Sequence, residues 1–379
     1  MALVNVTEES IEMDQELAKK LFVEGACLII LGVPLGTEIG IDLKSWETAE
    51  RFRGIKMIPP GLHFVYYSGT NKYGEVAPRS GFIHSFKRAE ILVKKWDSEK
   101  EEISNEEVPV ETVEKIREDI KNLDKNLGVY PYDIYGKWVK LVDHISEKLV
   151  ERLVPESGCI RSALEYTCAP ATNQPTARKR RSRPSTAEEK EEDLLPQLTP
   201  SPGTQLRLTE YPEHNYPEGS TPQDITRHSL DSTYTLDTLI AKYDRPNDLL
   251  GEIQFCFVCF LVGHCLEALD QWKQLVRLMC SCESAVFKRT QIYSHFLDVL
   301  EEQLHQIPED FLVDIVASVN LIYISLRNLF RTMQTNSEVD GRLRSKAERF
   351  QQRLTQKFEW DFEDLDQEEE DEAPVVVNL

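Results

Sequence analysis

The apolar residues of this chain keep one period up to about residue 109 and another from residue 110 onward, and that change decides the class of fold. In residues 52–68, Ile55 and Met57, then Leu62, Phe64 and Tyr66, recur at spacing two, which puts each set on one face of a strand. Pro59-Pro60-Gly61 lies between them; Pro presets the φ of a turn and Gly accepts a positive φ without a Cβ clash. The stretch reads as a strand, a stiff corner and a second strand: a structural hairpin, or a wall of a binding site. Residues 26–31, 39–43, 81–86 and 89–96 read as further short strands, with a turn-rich loop over 69–78. Ahead of them, Asp14 caps a short helix with Leu17, Leu21 and Phe22 on one face, ended by Gly25. Short strands broken by Gly and Pro argue for an antiparallel sandwich or partly closed barrel.

From Val110 the spacing becomes three and four. Val113, Ile116, Ile120, Leu123 and Leu127 form one helix stripe with Gly128 as its C-terminal cap. After the corner Tyr130-Pro131-Tyr132, a second helix buries Ile134, Trp138, Leu141, Ile145 and Leu149 and stops before Pro155. This pair is expected to cover the β domain. From Gln205 on, Leu206 and Leu208 sit in a short strand or extended arm. Thr221-Pro222 then opens a run of helices to Phe358. Residues 248–262 are apolar nearly all round, as in a central buried helix, and helices are expected over 265–279, 284–306, 308–333 and 338–358. In the last, Leu343, Ala347, Phe350, Leu354 and Phe358 hold the core stripe; Asp340-Gly341 is either its opening turn or an irregularity.

Between the two halves the composition collapses. Pro recurs at 170, 175, 184, 196, 200 and 202 among Ser, Thr and charges, so the segment cannot bury enough surface to offset its ordering entropy. The chain therefore divides into a flexible N-terminus (1–12), a β-rich domain with a helix pair (13–165), a disordered linker (166–204), an all-α domain (205–362) and an acidic tail ending in a strand-forming segment (363–379). The fold class is α+β in two domains.

Charge and motifs exclude several functions. With 44 basic and 65 acidic residues the net charge is −21, so most of the surface repels a phosphate backbone. Residues 1–10 lack the basic start and apolar core of a signal peptide, and the longest apolar run, 255–262, is too short to span a bilayer. The chain is therefore expected to be soluble and intracellular, with reduced cysteines. Cys256-x-x-Cys259 with His264 and Cys265 has the look of a metal or redox site. However, its cysteines alternate with Phe255, Phe257, Val258, Phe260 and Leu261, and buried Cys behaves as a small hydrophobe. No Gly-x-Ser-x-Gly, His-Glu-x-x-His or Walker loop occurs, so no enzyme, cofactor or metal is expected.

Three features carry binding or regulation. Arg178, Lys179, Arg180, Arg181 and Arg183 form a basic block in the linker, which fits nuclear import and equally a solvated charge run. Ser182 and Ser185 beside it are candidate phosphorylation sites, where a phosphate would cancel positive charge. At the tail, Val375, Val376 and Val377 follow an acidic run and Pro374. Such a triplet suits addition to an exposed sheet edge, against the alternative of a frayed terminus. Arg342, Lys346 and Arg349 can share one helix face; a membrane-trafficking adaptor would need such a patch.

Several of these stretches also resemble a known family. Phe52-Arg-Gly-Ile-Lys-Met-Ile-Pro-Pro-Gly-Leu-His-Phe64, Gly36-Thr-Glu-Ile-Gly-Ile-Asp42 and Ser45-Trp46-Glu47 are similar to the Aar-two (a-one/alpha-two repression) splicing-factor homologues. So are Leu250-Gly-Glu-Ile-Gln-Phe-Cys-Phe-Val-Cys-Phe-Leu261, Phe311-Leu-Val-Asp-Ile-Val316, Lys357-Phe-Glu-Trp-Asp-Phe362 and Ala373-Pro-Val-Val-Val377. The resemblance implies a β-rich domain followed by an all-α domain like those of trafficking adaptors. It implies a non-catalytic assembly factor of the U5 small nuclear ribonucleoprotein, present in cytoplasm and nucleus. Its partner would be the particle's large scaffold protein, gripped by its RNase H-like and Jab/MPN domains as a clamp that keeps the remodelling helicase off until maturation. Val375, Val376 and Val377 match the family's strand-adding tail. A monomer in a hetero-complex is expected, with no direct contact to nucleic acid or membrane. The linker does not match, so no phosphorylated serine is carried over.

Overall fold

A computed structural model describes residues 15–69, 76–164, 166–168, 198–308, 321–362 and 365. Residues 15–161 supply two five-stranded sheets. One has the order β8 (Glu102–Ile103), β7 (Ile91–Asp97), β1 (Ala26–Leu31), β4 (Gly54–Ile58), β9 (Leu127–Val129). The other has β10 (Ile160–Arg161), β6 (Ser80–Phe86), β5 (Gly61–Ser68), β2 (Glu38–Ile41), β3 (Lys44–Glu47). The second sheet is antiparallel throughout, while the first also holds two parallel pairs, β1 with β7 and β4 with β9. The sheets pack face to face around Leu28, Ile30, Ile39, Ile41, Ile55, Val65 and Tyr67.

The expected hairpin over residues 52–68 is corrected. β4 and β5 do not pair; they lie in different sheets, and Pro59-Pro60 carries the chain across the sandwich. The period-two pattern of β4 also breaks. Met57 takes a positive φ of 61°, so Ile55 and Ile58 are buried instead of Ile55 and Met57. Gly54 has no substitute: at φ 150° a Cβ would stand 1.9 Å from the Leu28 carbonyl oxygen of the neighbouring strand β1.

β5 is buried on both faces. Val65 and Tyr67 belong to the sandwich core, while Phe64 and Tyr66 belong to the core of the helical domain. The second sheet is thus the middle layer of the molecule. The outer face of the first sheet is covered by α2 (Val110–Leu123), whose Val113, Ile116 and Ile120 pack on Ile29, Val93 and Leu127. α1 (Gln15–Glu24) packs beside β4 with Leu21 buried; Phe22, expected on that face, is exposed.

The second expected helix is two, α3 (Tyr135–Val142) and α4 (Glu147–Leu153), broken at residues 143–146, where Ser146 caps α4 by accepting from the Leu149 amide. They pack on the helical domain as well as on the sheet: the Trp138 indole donates to the Leu62 carbonyl at 2.7 Å, and both helices contact α7 (Asp248–Leu261). The α2 stripe also ends early. Leu127 and Gly128 are not helix end and cap but strand β9. Tyr166–Cys168 (β11) pairs with Leu198–Pro200 (β12) in a two-stranded ribbon at the two ends of the Pro-rich segment.

The remaining described helices are α5 (Pro222–Leu230), α6 (Thr233–Ile240), α8 (Leu266–Cys280), α9 (Glu283–Lys288), α10 (Thr290–Gln306), α11 (Leu321–Thr335) and α12 (Gly341–Phe358). Thr221 and Asp224 close a capping box on α5. Asp340 caps α12, accepting from the amides of Arg342 and Leu343, so Asp340-Gly341 is the helix start. One helix expected over 284–306 is broken at Arg289 (φ −122°, ψ 42°). α7 is buried all round, as its composition requires.

Candidate functional site

The buried polar groups of this protein join its halves. Glu252 on α7 is fully buried and accepts from five donors: Thr209 N–H (2.9 Å) and Oγ1 (2.6 Å), Tyr243 OH (3.0 Å), Arg152 Nη2 (3.0 Å) and Gln271 Nε2 (3.3 Å). Arg152 comes from α4 and also stacks 4.7 Å over the Tyr243 ring. Two residues on, Gln254 accepts from the His144 amide (2.8 Å) and donates to Lys140 O (3.1 Å) and Asp143 Oδ1 (2.7 Å), which fixes the break between α3 and α4. At the other end of α7, Arg79 donates to Val262 O (2.8 Å) and Glu38 Oε1 (2.9 Å) and lies over the Tyr66 ring. Its Nη1 is 3.2 Å from His264 Nε2; since Arg only donates, that nitrogen accepts and the imidazole is neutral. Burial, then Arg79, hold His264 below its ordinary pKa.

The cysteines of the helical domain are enclosed. Cys256 and Cys259 are fully buried, and burial raises both thiols well above their ordinary pKa, away from the reactive thiolate. Cys265, Cys280 and Cys282 are buried too. Among the described residues no group of three or more His, Cys, Asp and Glu is placed to hold a metal ion, and no helix is long and apolar enough to cross a membrane. A second buried network, unforeseen in the sequence, centres on Asp42. Its carboxylate takes Tyr130 OH (2.6 Å), the Phe64 amide (3.0 Å) and His63 Nδ1 (2.7 Å), while His63 Nε2 faces Pro59 O at 2.8 Å. Both imidazole nitrogens of His63 thus face oxygen atoms within this network. It ties the tip of the β2–β3 turn to the Pro59 corner.

The surface that suits a protein partner is the open end of the sandwich. β3 and β9 are the terminal strands of their sheets, and both line one groove of about 350 Å³. Trp46, Phe52, Ile55 and Val129 form its apolar walls and Arg51 and Lys125 its charged rim, with Glu47 opposite. Trp46 is 42% and Val129 47% exposed. On β9, the Asn126 carbonyl and Tyr130 amide bond to β4, so by alternation the amide and carbonyl of Val129 point outward. These are unpaired edge groups of the kind that template strand addition.

The sequence-predicted site residues stand apart from this groove or outside the described residues. Val375, Val376 and Val377 lie outside them, as do Arg178, Lys179, Arg180, Arg181, Arg183, Ser182 and Ser185. The α12 cations are occupied internally. Lys346 donates to Ser294 O (2.7 Å) and pairs with Asp298, and Lys357 caps the C-terminus of α10 through the carbonyls of Leu304, His305 and Ile307. A lipid-facing row of Arg342, Lys346 and Arg349 therefore loses its middle member. The open edges were missed because no strand is expected at Lys44-Ser-Trp-Glu47 and Leu127-Gly128 reads as a helix end.

Comparison with known proteins adds three observations. Residues 24–155 match the family model described as the AAR2 N-terminal domain, and residues 208–363 match the AAR2 C-terminal repeat region. The chain is 43% identical to the mouse "Protein AAR2 homolog" and 42% identical to its human counterpart, each over 98% of both chains. It is 36% identical to the Caenorhabditis elegans "Protein AAR2 homolog" over 92% of this chain and 97% of that one.

Proposed function

Since the chain belongs to the AAR2 family, we propose that it works as a non-catalytic clamp in spliceosome assembly. Family membership supports a splicing-related assembly role. The finer reading is that the partner is the large scaffold protein of the U5 particle, held through its RNase H-like and Jab/MPN domains. The clamp would keep the remodelling helicase off until maturation, with work in both cytoplasm and nucleus. Val375, Val376 and Val377 supply an added strand in this reading, and Ser182 or Ser185 a phosphate that alters partner binding or import.

The observation that carries the reading is the match across both domains, joined with the absence of a gap between them: α7 bonds to both through Glu252 and Gln254. A clamp needs arms that do not flex. The test is affinity capture from cell extract with the full chain and with a chain ending at Glu372. Recovery of the U5 scaffold without its helicase, weakened by the truncation, is expected. Failure of both chains to recover the scaffold would remove the proposed function while leaving the fold intact.

A further inference from the structure

We infer that the protein stores its own C-terminal strand: residues 375–377 add to the open edge of β9 in the groove between β9 and β3 when no partner holds them. The inference goes beyond the clamp reading and does not need the scaffold protein.

The geometry of the exit point argues for this occupant. α12 runs alongside α10 in the same direction, since Lys346 meets Ser294, Arg353 meets Glu301 and Lys357 meets the α10 C-terminus. α3 runs the opposite way along α10, since Lys140 pairs with Glu302 while His144 faces His295. The end of α12 and the start of α3 are therefore at the same end of the helix layer. β9 ends only six residues before α3 begins. After the end of α12 the chain turns back, with the Phe362 carbonyl accepting from Gln351 and its ring on Phe330 of α11, and Leu365 packs against the helical core. From α12 over α10 to α3 takes two interaxial spacings of about 8–10 Å each. The ten residues from Leu365 to Val375 span up to about 33–36 Å when extended, longer than that crossing.

The chemistry of the groove fits the same segment. Val129 offers an outward amide and carbonyl, Trp46 and Phe52 offer apolar walls for alternate valines, and one more strand extends the sheet at its open edge. Arg51 and Lys125 enter no ion pair among the described residues, and the residues just before the valines are Asp366-Gln-Glu-Glu-Glu-Asp-Glu372. In a chain of net charge −21, a groove whose lining carries two cations against one carboxylate suits an acidic tail.

Hydrogen exchange read by mass spectrometry tests the inference on the isolated protein. Four samples are compared: the full chain at two concentrations tenfold apart, the chain ending at Glu372, and the full chain with Val376→Asp. Exchange over residues 127–130 and 44–47 is expected to be about tenfold slower in the full chain than in the truncated and V376D chains. It should be equal at both concentrations, and a peptide of residues 361–379 added to the truncated chain should restore protection. Amides of β1 serve as the reference for an intact fold. Equal exchange in full and truncated chains would overturn the inference. Protection that rises with concentration would overturn it too, assigning the groove to a second copy, and an unaffected V376D chain would show that the valines are not the docked strand.

Discussion

At the residue scale, Glu252 does most to decide whether the halves stay together. It is wholly buried and its five hydrogen-bond donors come from α4, the arm near Thr209, the α6–α7 loop and α8. A buried carboxylate is tolerated only with such complete pairing, and removing it strands its partners. Glu252→Ala is expected to lower unfolding stability by about 2–4 kcal/mol, measured by urea titration. Glu252→Gln keeps the shape and part of the bonding and should fall between. The sequence showed Glu252 only as a polar interruption in an apolar helix; nothing local says that its donors arrive from as far away as Arg152. His63 was equally silent. It sits in a strand read correctly for its apolar residues, yet its role comes from Asp42 across a turn.

At the element scale, helix starts such as Thr221-Pro222 were readable, while helix breaks and strand pairings were not. Thr221-Pro222 opens α5 as its chemistry requires, and residues 26–31 form β1 without adjustment. Asp340→Ala should cost about 1 kcal/mol through loss of the α12 cap, and Lys357→Met about 1–3 kcal/mol through three unsatisfied carbonyls at the end of α10. Chemical denaturation of both variants checks these values, and the two losses should be separable since the sites lie at opposite ends of α12. What the sequence could not convey was register. Met57 flips one residue into the left-handed region and reverses the face of everything after it, and Gly128 serves a strand where its neighbours predict a cap. Pairing partners are set by the whole chain, so β4 and β5 read as a hairpin although each finds its partners in a different sheet.

At the scale of the whole molecule, two histidines sit where the halves meet. Burial lowers the pKa of His144, opposed by Asp143 and reinforced by His295; burial and Arg79 lower that of His264, opposed by Glu38. A lowered folded-state value means the folded protein binds fewer protons than the unfolded chain. The stabilisation is therefore full above the ordinary value of 6.5 and is lost as pH falls below it toward the folded-state values. The melting temperature should drop between pH 7.5 and 5.5, and a His144→Gln, His264→Gln double variant should show a shallower drop. The shared strand β5 has a further consequence, in the order of synthesis. Phe64 and Tyr66 leave the ribosome early, but the helix that covers them, α7, ends nearly two hundred residues later. The sandwich is complete only at β10, about a hundred residues before α7 ends, so at about 5–20 residues per second one of its faces waits roughly 5–20 s without that helix. The nascent chain thus presents an aromatic surface to solvent for longer than most domains take to fold, and a holding chaperone would find its binding site there.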